Sequence, residues 1–274
     1  MKKILLILIG LFTTIACDRI PEDSRWTSSD KLPDWNGQYV LLEDFTGVQC
    51  VNCPAAAEEI ERLKEKFGDK LIVVGLHPQT NLNEPISMSP DTNGNNLDLR
   101  NDQANEYHSY YNKPPLPVGI VMQKNQRLSK DNFYGSVLSY YTRKASAEMS
   151  VEAKFVSNSI SINTDISFID NYTGSGNTQL SLMILEDSLL VVQQTPSGYI
   201  RNYRQDHVLR AMATPIWGDE ITGSNTNAGS NFSHSQTIEI NAEWRLAKLS
   251  VVAILFDNNT KEVIQCATAK ILNE

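Results

Sequence analysis

The chain is short of positive charge, of cysteine and of long apolar runs. It has 24 Lys and Arg against 32 Asp and Glu, a formal net charge of −8. No basic stripe interrupts that balance, so nucleic acid is not an expected partner, and neither is anionic lipid held by the protein surface. There are four cysteines and four histidines in 274 residues. Zinc usually takes four protein ligands, and with so few thiols and imidazoles no metal or other cofactor is expected. There is no internal repeat and no low-complexity tract. Hydrophobic residues still make up 41% of the chain, enough for a packed core in a protein large enough for two domains.

The one concentrated apolar run lies at the start. Lys2 and Lys3 precede Ile4 to Ile15, a run too short to span a bilayer comfortably and shaped like the core of an export signal. It ends in Thr-Ile-Ala-Cys17, which resembles a lipoprotein lipobox. Residues 1–17 are therefore expected to be a signal, with Cys17 the lipid-bearing residue and membrane attachment running through that lipid. Residues 18–37 are polar and contain Pro21 and Pro33; they are read as a tether. Export puts the remaining cysteines outside the cytoplasm, where disulfides persist. Cys50 and Cys53 pair naturally. Cys266 is left in an apolar, strand-like stretch and is read as a buried inert thiol.

The most informative segment is Glu43-Asp-Phe-Thr-Gly-Val-Gln-Cys-Val-Asn-Cys-Pro54. A strand, Val40–Phe45, leads into it, and a helix, Pro54–Phe67, follows. If Cys50 starts that helix, its unpaired N–H groups and the positive end of the dipole favour a thiolate. Leu71–Leu76 is continuously apolar, as expected of a central strand. Residues 78–99 form a long polar loop, Asn101–Tyr111 and Asp131–Lys144 are helices, and Val118–Gln123 is a strand. Residues 38–145 thus read as α/β. From 146 to 274 the pattern changes to alternating β-branched stretches separated by Gly, Asn and Ser, read as an all-β sandwich of Ig-like kind.

Four places in residues 38–145 resemble thioredoxin. Asp44 stands six residues before Cys50, where thioredoxins carry a buried acid that assists proton transfer. Cys50 matches the nucleophilic cysteine and Cys53 the resolving one. Pro117 precedes a strand and a Lys-Asn turn, as does the cis-proline facing the disulfide in that fold. Gln49 replaces the usual aromatic residue, and Val51-Asn52 replaces Gly-Pro, so the redox direction does not carry over. The whole chain resembles a Bacteroidetes family, the twenty-eight-kilodalton outer-membrane-protein-like lipoproteins. Glu43-Asp-Phe-Thr-Gly, Cys-x-x-Cys-Pro, Asp206-His-Val-Leu-Arg-Ala211 and Trp217-Gly218 carry that likeness. It implies an outer-membrane or surface location and says little of substrate.

Two functions follow. One is a thiol–disulfide oxidoreductase of the cell envelope, acting on protein thiols or disulfides through Cys50, Cys53, Asp44 and Pro117. The other is a non-enzymatic binding protein that uses the thioredoxin-like fold as a scaffold. His77 ends the second strand and could tune Cys50, although a hydrogen-bonded strand-end histidine is commoner. Access to Cys50 separates the two functions: a reactive pair must be reachable, while a scaffold can bury it under the 78–99 loop.

Overall fold

Six consecutive buried residues, Val40–Phe45, form β1. It runs parallel to β2 (Leu71–Leu76) and antiparallel to β3 (Val118–Val121). Between β1 and β2 lies α1 (Cys53–Phe67), whose buried face is Cys53, Ala56, Ile60, Leu63 and Phe67, three or four residues apart. Gly68, at φ 59°, ends it. Helices α2 (Asp102–Tyr110) and α3 (Phe133–Tyr141) complete this half. β3 stops short of the expected Gln123. Met122 and Gln123 take φ of 54° and 53°, a left-handed turn that brings the Gln123 amide in to Glu43.

This computed structural model describes residues 31–86, 97–124, 126–174, 177–221 and 226–273. The signal and lipidation assignments, Cys17 included, fall outside the described residues, as does the middle of the 78–99 loop. Asp34–Glu274 form one compact unit. Its first four residues, read as tether from composition, are bound into the fold. Asn36 accepts from the Ala145 N–H, and Gly37 bridges to Lys144.

Beyond residue 145 every regular element but one short 3-10 turn is a strand. In chain order they are β4 (Ala147–Val156), β5 (Ser159–Phe168), β6 (Thr178–Glu186), β7 (Leu189–Thr195), β8 (Gly198–Gln205), β9 (Val208–Met212), β10 (Asp219–Glu220), β11 (Asn231–Glu239), β12 (Leu249–Asp257) and β13 (Val263–Asn273). The apolar run Gln179–Gln193 reads as one strand but is two, because Ser188 turns the chain at φ 61°. Ile160, Ile162 and Ile166 of β5 share a core with Leu182 and Ile184 of β6 and Val251 of β12. β13 serves both layers around that core, pairing with β12 along most of its length and with β4 at its end.

One sheet runs β11-β5-β4-β13-β12-β6-β9-β2-β1-β3. Within the sheet the stretches 38–145 and 146–274 therefore join edge to edge at a single pairing, Gly75 in β2 with Val208 in β9, and other contacts such as Val263 N–H to Met122 O tie them together. The molecule is mostly β with few helices. β7 and β8 stand outside the main sheet as a separate hairpin. That hairpin decides what happens at the cysteines.

Candidate functional site: a covered disulfide and its acids

Cys50 and Cys53 form a disulfide with Cα atoms 5.4 Å apart. Cys53, not Cys50, is the first residue of α1. Cys50 sits in the preceding turn, held by its N–H to Gly47 O at 3.1 Å, and its own carbonyl receives the Cys53 N–H at 3.2 Å. The first turn of α1 holds no acidic residue and Asn52 gives no side-chain cap, so no carboxylate competes for the positive helix end. Val51 and Asn52 are exposed, whereas Cys50 is 4% and Cys53 2% exposed.

The covering comes from two directions. From the C-terminal half, the buried amide of Gln193 in β7 donates to Gly47 O at 3.1 Å and Cys50 O at 3.3 Å. Gln205 in β8 donates to the Gln193 oxygen at 2.9 Å and fixes its orientation. The Gln194 N–H reaches Val48 O at 2.8 Å, so β7 contacts the cysteine loop through backbone as well. Val48, Leu99, Leu189, Val191 and Val208 close a small apolar cluster around this contact, with Ile86 and Leu97 packed against it. From the other side, the described start of the 78–99 loop is pinned by Asn83. Its oxygen accepts from Val48 N at 3.3 Å and pairs with His77 Nδ1 at 3.0 Å; its amide donates to Thr46 O and Pro78 O.

His77 is fully buried, and burial holds its pKa down at about 4, so it is neutral at physiological pH. Its contact with Asn83 is the structural use of a strand-end histidine. The Leu116–Pro117 bond is cis. Phe45 pairs with Val118, and continuing that antiparallel register puts Pro117 opposite Thr46, four residues before Cys50.

Neighbouring residues of β1 face opposite ways, as strand alternation requires. Glu43 accepts from Tyr111 and Gln123 on the α2 side. Burial raises its pKa to about 7 against the lowering effect of those two bonds. Asp44 faces α1 and lines a cleft of about 310 Å³ between that helix and β8, whose helix wall starts at Ala57, one turn after Cys53. Burial raises its pKa to about 7 as well. Its Oδ1 is enclosed and has no hydrogen-bond partner among the described residues. Cys266 lies in β13 fully enclosed, with its thiol pKa pushed well up by burial.

Gln193, Gln205 and Asn83 carry no motif and escape a sequence reading. A glutamine directly after the apolar Leu189–Val192 is the only hint that one polar group there has a buried partner.

Comparison with known proteins decides the family. A family model described as outer membrane protein Omp28 matches residues 104–274, more than half of the chain. The chain belongs to the Omp28 outer membrane protein family. That membership supports a cell-envelope location. The match begins after the cysteine pair, so it carries the C-terminal half and Pro117 but not Asp44, Cys50 or Cys53. No curated protein matches this Omp28-family chain. Among solved structures, HBP35 of Porphyromonas gingivalis is 13% identical, with TM-score 0.66 over 88% of this chain and 77% of its own. A protein of Agrobacterium tumefaciens is also 13% identical, with TM-score 0.51 over 86% of this chain and 95% of its own. A domain of the Omp28 lipoprotein of Porphyromonas gingivalis is 17% identical over 48% of this chain and 93% of its own, at TM-score 0.34. At such identities the first two show a likeness of fold.

Proposed function

We propose that this Omp28-family protein is a lipid-anchored thiol–disulfide oxidoreductase of the cell envelope, with a thioredoxin-like α/β half and a cysteine pair that works from under the β7–β8 hairpin. The observation that carries this reading is the combination at the start of α1. A closed Cys50–Cys53 disulfide sits at an uncapped helix end, and a buried Asp44 with an unpartnered Oδ1 lines a cleft that begins at Ala57, one helical turn after Cys53.

In the oxidised state a thiolate of an envelope protein attacks Cys50 Sγ. The Cys50–Cys53 bond breaks, Cys53 leaves as a thiolate, and a mixed disulfide forms between the substrate and Cys50. Asp44, protonated below about pH 7, supplies a proton to Cys53. A second substrate thiolate then displaces Cys50. The substrate gains a disulfide and Cys50–Cys53 gains the two electrons. Reversed, the same steps reduce a partner disulfide.

The burial of both sulfurs favours a second reading, a binding protein whose disulfide braces the turn before α1. One experiment separates them. Cys53→Ser in the full chain, expressed in its host, should accumulate mixed disulfides that reducing agent releases and that Cys50→Ser/Cys53→Ser lacks. A Cys53→Ser protein that traps nothing, together with a Cys50–Cys53 pair that stays closed in glutathione, leaves the scaffold reading.

A further inference from the structure

The cleft over Asp44 has a charge imbalance that the redox chemistry does not require. Besides Asp44, its wall carries Glu58 and Glu61 of α1, and among the described residues none of the three has an ion-pair partner. The cations nearby make their direct pairs with other acids. Arg204 is held by Asp206 at 2.5 Å, with Glu61 acting on it only at longer range, and Arg62 reaches Glu59 at 3.6 Å. His207 lies between Asp187 and the amine of Lys64. The floor between the carboxylates is apolar, made by Ala57, Ile60 and Val73.

We infer that this cleft is a binding site for a primary alkylammonium group, with the nitrogen on Asp44 and its methylene stem along Ile60 and Val73. A carboxylate enclosed to 6% exposure and left without a partner is costly, and a cation donating hydrogen bonds is the group that offsets the cost. The volume, about 310 Å³, is that of a small-molecule site. A bare metal ion fits poorly: among the described residues no three His, Cys, Asp or Glu side chains converge closely enough to hold one. An ammonium on a flexible stem needs one enclosed carboxylate and a channel lined with apolar atoms, which is what the cleft provides. Negative charge on Glu58 and Glu61 at the walls attracts the cation; both Glu58 and Asp44 already act on Tyr203 of β8, whose pKa burial and then these charges raise to about 12.

The inference is separate from the redox reading, so the test uses the oxidised full chain, purified in detergent, in which no thiol reacts. Calorimetric titration near pH 8 compares butylammonium with butanol, which has a similar stem and no charge. Saturable binding of butylammonium alone is expected. Asp44→Asn should weaken it by roughly tenfold or more, and Glu61→Gln, on the exposed side of α1, by about two- to fivefold. N-acetyl-lysine amide is titrated in parallel. Tighter binding of the lysine amide assigns the site to a lysine side chain of a partner protein, and tighter binding of the free amine to a small amine. Equal heats for butylammonium and butanol, no saturation by about 10 mM, or unchanged affinity in both variants would overturn the inference and leave a cleft filled by water.

Discussion

The side-chain amide of Gln193 donates to the carbonyl oxygen of Cys50 at 3.3 Å, across 143 residues of chain. It joins the β half of the molecule to the turn that carries the disulfide. The same amide reaches Gly47 O, and Gln205 holds it in place. The hairpin therefore covers the cysteines through a few polar contacts and one small apolar cluster.

Gln193→Ala should loosen that cover. The carbonyls of Gly47 and Cys50 each lose one of two donors, keeping the Cys50 and Cys53 N–H, so the cost is about 0.5–1.5 kcal/mol. Reduced Cys50 should be alkylated by iodoacetamide at least several-fold faster than in the wild type. An unchanged rate at equal pH means the hairpin does not limit access.

Asp44 and Glu43 make stability depend on pH. Both carboxyls have folded-state pKa values raised to about 7, from 3.8 and 4.5. Their favourable contribution is complete below the unfolded values and is lost as pH rises through 7. His77, lowered to about 4 from 6.5, works in the opposite sense and part-cancels the acid end of that slope. Denaturation should show stability falling from about pH 4 to about pH 7, most steeply just below 7 where the His77 offset has ended, and levelling off above. Asp44→Asn should raise stability near pH 8 by roughly 2 kcal/mol or more, a Tm shift of at least about 4–8 °C, with little gain near pH 4. Equal gains at both pH values would mean that Asp44 is already ionised in the acid range.

Asn83→Ala should cost about 3 kcal/mol, measured by urea denaturation, because four groups on two segments, 46–48 and 77–78, lose their shared partner. His77→Asn should cost less, since it removes one of those contacts and leaves the other three.

Cys17→Ala should abolish labelling by a fatty-acid analogue in cells and release the protein from the membrane fraction. Equal labelling of wild type and variant would sink the lipid anchor and leave a different mode of attachment.

Much of the α/β half was legible in the sequence. Val40–Phe45 and Leu71–Leu76 are apolar from end to end apart from the two acids and a glycine, and α1 repeats its apolar residues at helical spacing. The ladder Ser159–Phe168 was legible for the same reason, since alternation marks a strand with one buried face. β8 was not: Gly198-Tyr-Ile-Arg-Asn-Tyr-Arg-Gln205 has no period that a core imposes, because it is exposed along most of its length. β9 escaped because its Asp206-His-Val-Leu-Arg-Ala211 run was read as a family signature; its main strand partner is β6, and its second, Gly75 of β2, lies 133 residues away.

By itself the sequence determined the local features: the Cys-x-x-Cys spacing, the acid six residues before it, the proline before β3, and which faces of each strand and helix are apolar. These depend on neighbours within a few residues, where backbone geometry leaves few choices. Whether the cysteines are open or covered, whether Asp44 has a partner, and how the two halves share one sheet were decided only in three dimensions. Each of those depends on contacts between residues more than a hundred positions apart, and no local pattern encodes which buried amide will meet which carbonyl.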